Sequence, residues 1–310
     1  MGYCVNLLVV PMLALAGNWP LAAAFMITER IGKAVRTPAR DVMLSHATKE
    51  IGRGWGFGLH EAMDQIGAML GPLLVAFVLR STGSYQASFG ILLVPALLAI
   101  GVVLVARTLY PRPRDLETHT AELATKGFDR HFWLYLAAVA LIAAGFADFP
   151  LIAYHFGKNA SIPPLWIPIF YAIAMGVDAI AALICGYFFD RIGLKVMLIA
   201  AFIAAGFAPC VFLGNFSLAL FGMVIWGIGM GAQESIMRAA VAGMVSANRR
   251  GAAYGIFNTG FGVAWFCGSA LLGILYDISL PLVIIFSVAI QLAAIPLLWS
   301  ISRAQASPTA

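Results

Sequence analysis

Charge is scarce in this chain. Only 11% of its 310 residues are Asp, Glu, Lys or Arg, while 62% are hydrophobic and the mean hydropathy is +0.91. Soluble domains carry about 25% charge. A chain this poor in polar side chains cannot cover a water-facing surface, so lipid is its solvent over most of its length. Cysteine is sparse too. Cys4, Cys185, Cys210 and Cys267 each lie in an apolar run, and no two share a metal-type spacing. That argues against a zinc site or a disulfide framework. The histidines His46, His60, His119, His131 and His155 are scattered, with no HExxH pair. No metal and no cofactor is therefore expected. A GxxxxGKS or GxxxxGKT phosphate loop is also missing, so ATP is not the expected power source. No basic residue precedes the first apolar run and no small-residue cleavage site follows it, so no cleavable signal is visible. The net charge of +5 does not point to nucleic acid, because the bases fall in gaps between apolar segments rather than on one face.

What the chain has in abundance is long apolar segments. Ten of them recur, with cores at 2–16, 19–36, 55–79, 84–106, 132–154, 164–186, 194–213, 216–239, 252–276 and 280–301. Their length and unbroken hydrophobicity predict membrane-spanning helices and argue against an alternating β-barrel. The fold class expected is an all-α integral membrane protein with about ten transmembrane helices. Trp19, Trp133 and Trp166 lie near helix ends, as interfacial anchors should. One long polar stretch, 107–131, divides the chain. Of the nineteen Lys and Arg residues, all but Arg80 and Lys158 fall on the side of the membrane that holds this stretch. By the positive-inside rule, that stretch and the C-terminus face the cytoplasm, and the inner (plasma) membrane is the expected location.

The chain also repeats itself at a separation of 197 residues. "GNWPLA" at 17–22 aligns with "GNFSLA" at 214–219, and "RGWGFG" at 53–58 with "RGAAYG" at 250–255. Gly71 then meets Gly268 without a gap. An even number of helices separates matched positions, so the copies are parallel. The stretch "GYFFDRIGLK" at 186–195 has no partner at this register, because its twin falls before Met1. The expected parent is two bundles of six helices, with the first two helices absent here. The expected domains are a four-helix N-terminal bundle at 1–106, a cytoplasmic linker at 107–131, a six-helix C-terminal bundle at 132–303 and a cytoplasmic tail at 304–310.

These features resemble the major facilitator superfamily (MFS), whose members have a parallel six-plus-six repeat. Gly186, Asp190, Arg191, Gly193 and Lys195 match its loop signature G-x-x-x-D-R-x-G-x-K. Gly58, Gly67, Gly71 and Pro72 match the start of a family antiporter signature, although Val75 and Ala76 replace its last two glycines. "RIGKAVRTPARD" and "GAQESIMRAAVAGMV" look like a bacterial branch of the family with no settled substrate. The resemblance implies that the 186–195 loop is a conformational latch; the alternative is a simple topology anchor. Gly58, Gly67 and Gly71 let neighbouring helices pack closely and Pro72 can bend the helix; the resemblance implies an antiport-specific role for them, and simple tight packing is the alternative.

Acids inside the membrane carry the most functional weight, because an ionisable group there usually faces a cavity or a partner. Asp64, Asp178, Asp148 and Glu61 are the candidate proton or substrate site. Glu61 is alternatively an interfacial acid answering Arg53 or His60, and Asp148 and Asp178 alternatively pair with residues on the absent helices or with polar backbone. Glu234 and Arg238, at i and i+4, are a candidate intrahelical ion pair. The function expected is a secondary active transporter of a small molecule by alternating access, in its more specific form a proton-coupled exporter. It is expected to work as a monomer, with membrane lipid, a small-molecule substrate and a proton or other coupling ion as partners, and without nucleic acid. The alternatives are a non-transporting fragment of such a protein and a polytopic membrane enzyme. No nucleophile motif or soluble domain supports the enzyme.

Overall fold

A computed structural model describes residues 2–109, 127–159, 162–163 and 165–306. Most of the 107–131 linker and the last residues of the tail lie outside the described residues. The described chain is helical throughout: α1 (Gly2–Met12), α2 (Trp19–Ala47), α3 (Arg53–Thr82), α4 (Tyr85–Gly90), α5 (Leu93–Leu109), α6 (Arg130–Gly145), α7 (Phe149–Asn159), α8 (Trp166–Ile192), α9 (Lys195–Ala205), α10 (Phe207–Leu213), α11 (Phe216–Met244), α12 (Arg250–Ile278) and α13 (Leu280–Ala306). Among the described residues, eight helical stretches are long and apolar enough to cross a membrane. The two apolar segments that fall outside this set are the first two. α1 has only 11 residues, about 16 Å of helix. α2 is long enough but carries Glu29, Arg30, Lys33, Arg36, Arg40 and Asp41.

The repeat read from the sequence appears in how two helices start. The side-chain oxygen of Asn18 accepts from the Leu21 amide at 3.0 Å, at the head of α2. Asn215 accepts from the Leu218 amide at 3.1 Å, at the head of α11. Each Gly-Asn turn therefore ends in an N-cap, which satisfies an amide that would otherwise lack a partner.

The residues fall into two compact units, one drawn from Met1–His46 and Gly67–Thr120, the other from Ala47–Ile66 and Ala121–Ala310. In the first, α1 packs on α5, and the turn after α1 packs on α4. Leu7, Pro11, Gly67 and Gly71 help line a cavity of about 570 Å³ there. In the second, α11 lies along α8, while α6 packs on α12 and α13. Tyr135, Phe146, Phe170 and Phe207 are fully buried at its core. Small residues let these helices approach. A Cβ at Gly268 of α12 would collide with the backbone of Ala144 in α6. The Gly145 carbonyl accepts from the Ser287 hydroxyl of α13 at 2.6 Å. Tight crossings of this kind depend on residues without bulk at the contact.

Candidate functional site

The 186–195 loop closes α8. Gly193 follows that helix at φ +64°, a conformation that favours glycine, and α9 restarts at Lys195. Asp190 reaches away from its own helix. One carboxylate oxygen accepts from the Gly54 amide at 2.8 Å, and the other from the Trp55 amide at 2.8 Å. These amides belong to the first turn of α3, whose partial positive charge favours an anion. Glycine makes the approach possible: a Cβ at Gly54 or at Gly186 would run into the backbone of the other. Arg191 stacks its guanidinium 3.5 Å from the Tyr187 ring centre, a cation–π contact at the loop's edge.

The same crossing continues along α3 and gathers the acids. Gly58 abuts the Ala182 carbonyl of α8. From α11, Gly231 packs so closely that a Cβ there would stand 2.5 Å from the Asp178 carbonyl oxygen and 2.7 Å from the Ala182 amide. Glu61 is one turn beyond Gly58, and Glu234 is one turn beyond Gly231. The two glycine contacts therefore set the positions of the acids. Carboxylate oxygens of Glu61, Asp178 and Glu234 lie within 4.8 Å of one another. Glu61 is 2% exposed and Asp178 is fully buried. Along their helices they lie about 12 Å from the start of α3, about 21 Å from the end of α8 and about 15 Å from the end of α11.

Polar partners are unequally shared. Arg238 places Nη1 3.3 Å from Glu61 Oε2, and the same nitrogen donates to the Glu234 carbonyl at 3.1 Å. Gln65 Nε2 donates to Glu61 Oε1 at 2.8 Å and to Glu234 Oε2 at 3.2 Å. Both carboxylate oxygens of Asp178 are buried without a hydrogen-bond partner among the described residues. α11 is steadied by the Tyr135 hydroxyl, which donates to the Met237 carbonyl at 2.9 Å. The Tyr254 hydroxyl donates to the Arg238 carbonyl at 2.9 Å.

The remaining sequence candidates stand outside the three-acid cluster. Asp64 is exposed. Three residues on from Glu61, it falls to the side of the buried stripe, and Gln65 takes the inward position instead. Asp148, between α6 and α7, accepts from the Trp265 indole N–H and from the Ser269 hydroxyl. Trp226, the other deep tryptophan, donates to the Ala147 carbonyl at 2.9 Å. A Cβ at Gly67 or Gly71 would meet nothing within 4 Å, and the Pro72 side chain lies outside the described residues. Sequence reasoning missed Gln65 and Gly231, and it did not join Glu234 to Asp178. A signal for the latter was present: Gly227 and Gly231 form a small-xxx-small stripe one turn before Glu234.

Comparisons with known proteins agree with this architecture. The profile described as "Major Facilitator Superfamily" matches residues 1–194 and 149–309. An uncharacterised protein of Mycobacterium tuberculosis is 37% identical over 315 residues, covering 99% of this chain and 77% of that protein. An uncharacterised MFS-type transporter of Methanocaldococcus jannaschii is 27% identical over 293 residues, covering 90% of this chain and 71% of that one. Among solved structures, the fucose:proton symporter FucP of E. coli matches with a TM-score of 0.65 at 14% identity, over 99% of this chain and 82% of that one. A bacterial homologue of the iron transporter ferroportin, in its outward-facing state, matches with a TM-score of 0.68 at 14% identity, over 97% and 82%.

Proposed function

The chain belongs to the Major Facilitator Superfamily, a family of membrane transporters, and on that premise we propose that it moves a small molecule by alternating access, coupled to protons and in the export direction. The family and the fold point to a transporter rather than an enzyme. The observation that carries the coupling is the Glu61–Asp178–Glu234 cluster, three carboxyls in contact range on three membrane-spanning helices. Acids so placed bind and release a proton at the cost of rearranging their partners, which is what coupling to a gradient requires. Arg238 gives Glu61 a charged partner that a proton replaces. That one structural relative is a fucose:proton symporter is in keeping with proton coupling. The Gly58–Pro72 signature favours antiport.

In this reading, the Asp190 cap on α3 is the latch. It holds one conformation and breaks in the other as the transporter alternates its access. The transporter sits in the plasma membrane with its C-terminus in the cytoplasm.

The test is a proteoliposome assay with an internal pH-sensitive dye, screened against a panel of small organic solutes. A substrate should drive proton movement in the wild type, and Asp178→Asn and Glu61→Gln should abolish it. Substrate flux that ignores both a protonophore and these two substitutions would sink proton coupling at this cluster.

A further inference from the structure

We propose that Glu61, Asp178 and Glu234 form a binding site for a hard divalent cation of the calcium or manganese type. This rests on the transport reading only in assigning the cluster a working role, and it adds an ion that reading does not name.

The donor set is all oxygen, which suits hard cations rather than zinc or copper. Calcium holds its oxygens at about 2.3–2.6 Å, so ligands on opposite sides of one ion stand up to about 5.2 Å apart. The three carboxylates already lie within 4.8 Å of one another, so side-chain adjustments of a few tenths of an ångström bring one ion within reach of all of them. Charge points the same way. Three ionised carboxylates against Arg238 leave two negative charges, which one divalent ion balances.

A second observation is independent of the clustering. Arg238 and Gln65 between them serve Glu61 and Glu234. Nothing among the described residues donates to Asp178, although both its oxygens are fully buried and one of them lies within 4.8 Å of a carboxylate oxygen of each of the other two acids. A buried carboxylate is normally hydrogen-bonded, paired or bound to a metal. Asp178 has neither of the first two, and it stands where a third ligand would.

Protons compete for the same oxygens, because only the ionised carboxylate is a ligand. The groups facing the site are Glu61 on α3, Tyr171 and Asp178 on α8, and Glu234 and Arg238 on α11, and the exposed Asp64 of α3 acts on Glu61 and Asp178 through its charge alone.

The experiment uses the full chain in lipid nanodiscs, stripped with a chelator and titrated with Mn²⁺ while free Mn²⁺ is read by electron paramagnetic resonance. One saturable site per chain, displaced by Ca²⁺, is expected. Asp178→Asn and Glu234→Gln should each weaken it at least about tenfold. Asp129→Asn, which changes an exposed acid away from the cluster, should leave it unchanged. Having two ligand variants keeps the test valid if one fails to fold. Wild-type binding no greater than that of empty nanodiscs would overturn the site, as would binding unaffected by both ligand variants. Proton-driven flux without saturable Mn²⁺ binding would remove the cation and keep the transport reading; saturable binding without proton-driven flux would do the reverse.

Discussion

Asp148 and Asp178 are the same residue type on neighbouring membrane-spanning stretches, and the protein treats them in opposite ways. Asp148 is half-buried and accepts from an indole N–H and a hydroxyl. Asp178 is fully buried, and neither of its oxygens has a hydrogen-bond partner among the described residues. The difference separates a carboxylate that is built into the packing from one that is held in reserve. A satisfied acid contributes to holding the α6–α7 junction against α12. An unsatisfied acid costs stability, and such a cost is usually tolerated where function needs it.

The largest expected effect falls on the group that keeps the cluster together. Arg238→Met leaves Glu61 buried beside two other acids and should destabilise the protein by about 3–5 kcal/mol, read from thermal unfolding in detergent. Adding Glu61→Gln to that variant should restore much of the loss; if it does not, Arg238 acts through other contacts. Next come matched substitutions at the two aspartates, measured in chelator. Asp178→Asn removes an unpartnered buried charge and should stabilise by about 1–3 kcal/mol. Asp148→Asn turns one acceptor into a donor facing Trp265 or Ser269 and should destabilise by about 1 kcal/mol. Equal signs for the two would break the contrast drawn between them. The smallest effect is expected at the latch. Asp190→Ala removes an N-terminal cap, worth about 1 kcal/mol, and hydrogen exchange should quicken at the Gly54 and Trp55 amides. Unchanged exchange there would show that those amides find another acceptor.

Much of the fold was legible because membrane helices write themselves plainly: apolar length, flanking bases and Gly-Asn turns are local signals. The Asp190 loop was legible for a similar reason, since Gly193 and its neighbours keep a fixed spacing. What the loop touches was not. Its partners at Gly54 and Trp55 lie more than a hundred residues away, and no periodicity encodes that pairing. The cluster followed the same rule. Glu61 and Asp178 stood out as acids in lipid, but Glu234 read as an intrahelical partner of Arg238 because four residues separate them. In the structure Arg238 donates to the Glu234 carbonyl and also reaches across to Glu61. Asp64 and Glu61 both stood among the candidate intramembrane acids. Helical rotation sends Asp64 outward and brings Gln65, which drew no attention in the sequence, inward between two carboxylates. The unseen part of the site is thus the part made by helix crossings, and those are set by Gly58 and Gly231 together with partners that the sequence does not name.

The Asp190 cap also bears on how the chain is made. The Gly54 amide waits for an acceptor 136 residues further along. At about 5–20 residues per second of synthesis, α3 leaves the ribosome roughly 7–27 s before the carboxylate that completes its first turn. During that interval its leading end has only water, headgroups or passing chaperones to satisfy it. The opening of α3 therefore settles only once the end of α8 has been made, and a ribosome stalled after α3 has emerged but before residue 190 would leave a nascent chain whose third helix lacks this cap.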